Sequence, residues 1–145
     1  MIKKIIIFGF GSIGNKHKIA LKKINKKLIF YEFNSKKSCS KKEILSINPD
    51  LIIISTPTYL HYKNLIFFNS ILKNKIILIE KPLFHKKLKF KLKNNKNKIF
   101  VGYNLRYHPV IQFLKKNIKS IKPFYIRSEC FSYLPYWRKN NYENN

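Results

Sequence analysis

Two cysteines, Cys39 and Cys130, are all that this 145-residue sequence contains, and they form no C-x-x-C pair. No disulfide framework or metal site is implied, and the expectation is a reduced, cytoplasmic protein. Long apolar runs are missing too: none approaches the ~18 residues that a membrane span requires. Lys3 and Lys4 precede an apolar stretch, but no small-residue cleavage site follows and a glycine loop interrupts it, so a secretory signal peptide is not expected. Alanine occurs once (Ala20), valine twice and arginine three times, while lysine, isoleucine and asparagine dominate, the mark of A+T-rich coding.

Acidic residues are also few: six stand against 31 lysines and arginines, for a net charge of +25. A nucleic-acid or anionic-membrane partner would be held by a basic patch. Here the lysines are spread along the chain as default solvated residues. No zinc-knuckle, RNA-recognition or helix-turn-helix signature accompanies them. Neither a specific nucleic-acid partner nor a membrane partner is expected. The length suits about one domain, large enough to bury a core without disulfides.

Glycine is scarce as well, which gives its placement meaning. Three of the four glycines fall in one window, Gly9-Phe10-Gly11-Ser12-Ile13-Gly14, directly after the apolar run Ile5-Ile6-Ile7-Phe8. A buried strand, G-x-G-x-x-G and then a helix suit a pyrophosphate, because glycine permits positive φ and close backbone approach to a ligand. Amides at the new helix's N-terminus face the phosphates. Gly9, Gly11, Ser12, Ile13 and Gly14 are therefore candidate cofactor contacts. Glu32 ends the next apolar run, eighteen residues after Gly14, and an acidic side chain near that spacing accepts from an adenosine ribose 2′-hydroxyl. Asn34, Ser35, Lys36 and Lys37 follow at once and offer donors for a 2′-phosphate. NAD is the first expectation, with NADP still open.

Apolar patterning gives an α/β order, a doubly wound and mostly parallel sheet. Strands are expected over Ile2 to Phe8, Leu28 to Phe33, Leu51 to Ser55, Ile76 to Ile79 and Ile99 to Tyr103. The unbroken run Leu51 to Ser55 fits a strand covered on both faces. The first helix is expected to bury Ile13, His17, Ala20, Leu21 and Ile24. A short helix spans Lys41 to Asn48, and Leu65, Phe68 and Leu72 form the buried stripe of the next. Phe84 to Lys98 has no clear period and reads as a short helix or an irregular crossover. Pro109 fits the first turn of a helix carrying Val110, Phe113, Leu114 and Ile118 on one face. Phe124 to Leu134 alternates as a half-solvated strand. The expected division is a dinucleotide-binding domain over residues 1–120 and the start of a second domain over 121–145.

Four stretches, each at a strand end, together resemble the Gfo/Idh/MocA family of nicotinamide-dependent oxidoreductases: GFGSIGNKH (Gly9 to His17), ISTPTYLH (Ile54 to His61), EKPL (Glu80 to Leu83) and VGYNLRYHP (Val101 to Pro109). The resemblance implies hydride transfer between a nicotinamide and the carbinol of a sugar or nucleotide sugar. It also implies that Thr56 and Pro57 line the cofactor, with His61 nearby and with packing as its alternative role. Glu80 and Lys81 are counted with the cofactor contacts, and Lys81 matches the lysine that lies against the nicotinamide and substrate. A partly buried lysine is suited to the proton transfer at the hydroxyl that hydride transfer requires. A cis Lys81-Pro82 peptide is a further implication. Arg106 and His108 orient substrate or cofactor, or else serve the loop and helix cap. No metal is implied.

Ser132 to Arg138 looks like the start of the second domain in members that act on sugars in surface-glycan pathways. That α/β domain covers the cofactor, usually forms the dimer interface and carries a D-x-x-x-H helix. Here the only aspartate is Asp50 and no histidine follows His108. The expectation is a cofactor-binding portion, inactive alone. The alternatives are a half-enzyme completed by a separate substrate-domain chain, or a non-enzymatic dinucleotide-binding or basic interaction module.

Overall fold

The structure, a computed structural model, describes residues 1–34, 39–122, 125, 127, 129 and 131. All five apolar runs form strands: β1 (Lys4–Phe8), β2 (Ile29–Phe33), β3 (Leu51–Ile54), β4 (Ile76–Ile79) and β5 (Lys98–Val101). They make one parallel sheet in the order β2-β1-β3-β4-β5. In register, Phe8 lies between Phe33 and Ile54, and Ile54 beside Ile79. The carboxyl ends of β1, β2, β3 and β4 are therefore level, and the strand order reverses between β1 and β3. In an open α/β sheet that reversal leaves a crevice above the strand ends, where ligands bind.

Period-two alternation along the strands splits the core into two faces. Ile6, Phe8, Ile52, Ile54, Ile77 and Ile79 pack on one side with Ile44 and Ile47 of α2 (Lys41–Ile47) and with Leu65 and Phe68 of α3 (His61–Ile71). Ile5, Ile7, Leu51 and Ile53 pack on the other, against Phe10 and against Leu21 of α1 (Ser12–Ile24). Each fully buried isoleucine contributes about 1.5–3 kcal/mol. Ser40 caps α2, accepting from the Glu43 amide at 3.1 Å, and Asn48 ends it in the left-handed region.

The buried face of α1 differs from the expected one. Gly14 is its buried residue, and His17, Lys18 and Leu21 extend that face, while Ile13, Ala20 and Ile24 are exposed. The helix lies so close to β1 that contact centres on a residue without a side chain, which an apolar pattern does not register. Residues 84–97 are irregular rather than helical. They are held by packing of Phe84 and Leu92 on the core and by the side chains of Asn69, Asn95 and Asn97.

The chain divides into two compact units, Met1–Asn104 and Leu105–Asn145. In the second, α4 (Pro109–Ile121) starts with Pro109 in its first turn, and the His108 side chain accepts from the Val110 amide. Val110, Phe113, Leu114 and Ile118 fall on one side of it. The strand expected from Phe124 to Leu134 lies outside the described residues apart from isolated positions, and the segment Ser132 to Arg138 lies wholly outside them.

Candidate functional site

The turn leaving β1 is built from β2 and β3. The amides of Gly9 and Phe10 both donate to the Phe33 carbonyl, at 2.8 and 2.9 Å, and the Ser55 amide donates to the Phe8 carbonyl at 2.8 Å. The Ser55 hydroxyl then donates to the Gly9 carbonyl at 3.0 Å. Between these supports Gly9 adopts φ +94°, and a Cβ there would lie 2.4 Å from the Thr56 amide nitrogen. Only glycine fits, by conformation and by space.

The other two glycines of the window have different surroundings. A Cβ on Gly14 would meet Ile7 Cγ2 at 2.9 Å and the Gly9 carbonyl oxygen at 3.0 Å, so Gly14 sets the close approach of helix to strand. A Cβ on Gly11 would meet nothing within 4 Å. Gly11 caps α1 with no side-chain hydrogen bond, so the first-turn amides, beginning with Ser12 and Ile13, are left to an outside acceptor. A tight turn, an open backbone edge and a close helix contact are the three glycine roles of a dinucleotide loop. These residues fit a pyrophosphate.

Glu32, in register with Ile7 near the end of β2, forms an ion pair with Lys18 of α1. The Lys18 ammonium also lies 5.5 Å from the centre of the Phe10 ring. Acid and base thus meet beside the glycine turn.

At the end of β3, Thr56 is buried and its hydroxyl accepts from the Asn64 amide group at 2.9 Å. Pro57 precedes the single turn Thr58–Leu60 that leads into α3. His61, the first residue of α3, is 1% exposed. Its Nε2 lies 2.8 Å from the Thr56 carbonyl oxygen, and its Nδ1 lies 2.9 Å from that of Pro82 and 3.3 Å from that of Leu83. The ring is committed to tying the β3 loop to the β4 loop.

Beyond β4, Glu80 is held on two sides. His17 Nε2 is 2.7 Å from one carboxylate oxygen, and the Lys81 amide donates to the other at 3.1 Å. Gly102 leaves room for that carboxylate, since a Cβ there would stand 3.2 Å from it. The Lys81-Pro82 peptide is cis. Lys81 is exposed, so the partial burial expected of it is not supplied by the described residues. Arg106 and His108 belong to the second unit: the Arg106 carbonyl accepts from Gln112, and His108 is the cap of α4.

Within the first unit, the structure brings Gly9, Gly11, Ser12, Ile13, Gly14, Glu32, Thr56, Pro57, His61, Glu80 and Lys81 to the carboxyl ends of the strands. Sequence reasoning missed the groups that brace them. His17 stands in the first motif but reads as a helix-face residue, Lys18 is one lysine among many, and Ser55 and Asn64 carry no spacing signal. Among the described residues, no three His, Cys, Asp or Glu side chains come together as a metal site would need, and no helix is long and apolar enough to cross a membrane.

No protein-family model and no curated protein matches the chain. Solved structures do. The WlbA dehydrogenase from Bordetella pertussis, in complex with NADH and UDP-GlcNAcA, matches with a TM-score of 0.62 at 17% identity, over 83% of this chain and 43% of that one. The WlbA dehydrogenase from Chromobacterium violaceum, also in complex with NADH and UDP-GlcNAcA, matches with a TM-score of 0.61 at 18% identity, over 82% of this chain and 40% of that one. The chain spans less than half the length of either structure. At these identities the likeness is one of fold, and it joins the strand order to a single conclusion: this is an α/β fold of the Rossmann type, shared with dehydrogenases.

Proposed function

We propose that the chain binds NAD(H) across the ends of β1 and β3 and is the cofactor-binding part of an oxidoreductase of the Gfo/Idh/MocA type, acting on a nucleotide sugar. The observation that carries this reading is the division of labour among Gly9, Gly11 and Gly14. Two are enclosed by the fold, and the middle one faces open space where a phosphate would lie. The dehydrogenases of the same fold, crystallised with NADH and a UDP-sugar acid, support the cofactor and substrate class.

In this reading the Gly11 edge and the amides of Ser12 and Ile13 hold the pyrophosphate, and Glu32 accepts from the adenosine ribose. Thr56 and Pro57 wall the crevice on the β3 side. When bound, the nicotinamide supplies hydride transfer to or from a carbinol carbon. Lys81 then holds or accepts the proton at that hydroxyl, while Glu80 and His61 fix the loop carrying it. Calorimetric titration with NADH is expected to give a micromolar to millimolar dissociation constant, on the order of −4 to −8 kcal/mol. A Gly11→Val variant, which places a branched side chain in the open space, is expected to abolish the signal while keeping the fold. Equal heats for the two proteins would reject the loop assignment.

A further inference from the structure

Among the described residues most lysines are exposed, as long basic side chains that keep their ammonium groups in water are. Lys18 is held. It reaches back along α1 to the Glu32 carboxylate and to the face of Phe10, and its side chain is 26% exposed. Three features of the fold force this meeting. Alternation along β2 turns Phe33 toward the α2 and α3 side of the sheet and Glu32 toward α1. Gly14 draws α1 close to β1. Phe10, the residue between the first two glycines, packs into the core on the α1 side and supplies the ring.

The consequence concerns cofactor choice. A carboxylate accepts from the two ribose hydroxyls of NAD, but alone it repels the 2′-phosphate of NADP. An ammonium in contact with that carboxylate offers a phosphate the charge and donors it needs. Any group Glu32 can reach lies within one or two contacts of Lys18. We propose that Lys18 is a specificity-determining residue that admits the 2′-phosphate, so that one site takes both NAD(H) and NADP(H). Ribose hydroxyls go to Glu32 and phosphate oxygens to Lys18. This rests on the dinucleotide reading and adds to it a residue outside the glycine loop and outside the segment that follows β2.

The test is fluorescence titration of the full chain with NADH and NADPH, with thermal melting of each variant alongside. The unaltered protein is expected to bind both, with dissociation constants within about tenfold of each other. Lys18→Met is expected to raise the NADPH-to-NADH ratio of dissociation constants by about tenfold or more, the scale of one charge-assisted contact. Lys18→Arg restores the ratio, and Glu32→Gln lowers it. If Lys18→Met weakens both cofactors in proportion, the ratio stays fixed, the lysine only stabilises the fold, and the proposal is overturned. Binding of NADH without NADPH by the unaltered protein overturns it as well. Binding of neither removes the dinucleotide reading and this inference with it, an outcome distinct from a fixed ratio.

Discussion

Two glycines separated by a single residue are expected to fail in different ways when replaced. Gly9→Ala puts a methyl 2.4 Å from the Thr56 amide nitrogen on a backbone at φ +94°. Backbone strain and overlap together make this a severe substitution, with a cost of about 2–4 kcal/mol on denaturant unfolding. Gly11→Ala meets no neighbour and is expected to shift stability by no more than about 1 kcal/mol, while weakening NADH in titration. Similar unfolding losses for the two would show that the loop is only a turn. At the amino ends of the central strands β1 and β3, opposite the loop, Asp50 accepts from the amides of Lys4 and Lys3 at 2.9 and 2.8 Å. Those bonds hold its carboxyl below the ordinary aspartate value, with Lys75 assisting. A depressed folded value means that the stabilisation is complete above the ordinary pKa of about 3.9 and is lost as pH falls through the folded value. Asp50→Asn is therefore expected to be less stable at pH 6, with the difference closing in acid unfolding curves as pH falls through the folded value. A gap that stays constant across that range would mean the charge is irrelevant.

The elements differ in how far their sequence announces them. The five strands are legible because runs such as Ile5 to Phe8 and Leu51 to Ile54 are apolar on both faces, which suits a covered parallel sheet. The glycine loop is legible for a related reason: its chemistry lies in backbone conformation, and Gly9 and Gly11 record that directly. Helix α1 departs from its apolar pattern because its contact centres on Gly14, which adds nothing to an apolar period. Residues 84–97 show no period because asparagine side chains fix them together with the isolated apolar contacts of Phe84 and Leu92. Asn69 donates to the Lys93 carbonyl at 2.9 Å and accepts from Asn97 at 3.0 Å, while its own carbonyl accepts from Asn95. Asn69 is 3% exposed, and truncation would remove the donor to the Lys93 carbonyl and one of the two acceptors of the Asn97 amide group, while the bond from Asn95 to the Asn69 backbone would remain. Asn69→Ala is expected to cost about 1–3 kcal/mol and to open residues 84–97 to limited proteolysis before the sheet unfolds. Cleavage spread evenly over the chain would argue that Phe84 and Leu92 suffice to hold the segment without Asn69. The braces His17, Lys18 and Asn64 stay hidden for another reason. His17 and Lys18 gain their roles from Glu80 and Glu32 on other elements, and Asn64 gains its role from Thr56 across the β3 loop.

At the scale of the whole molecule, charge outweighs every other feature. A chain with net charge +25 repels itself when compact. Several of its few acids are also already engaged: Glu32 with Lys18, Glu80 with His17 and Asp50 with backbone amides. The same excess of lysine that opposes folding attracts an anionic dinucleotide, so salt acts on stability and on binding in opposite directions. Raising ionic strength from about 0.01 to 0.15 M shortens the screening length from about 30 to 8 Å. The melting temperature of the free protein is expected to rise over that range, and the dissociation constant for NADH to increase several-fold. A melting temperature that falls with salt would show that ion pairs outweigh repulsion. The two effects separate at the loop. Gly11→Val removes the site without changing the charge, so it should keep the salt dependence of melting and lose that of NADH binding. If the variant keeps a salt-sensitive NADH signal, the lysines are binding the cofactor as a diffuse anion and the crevice above β1 and β3 is not its site.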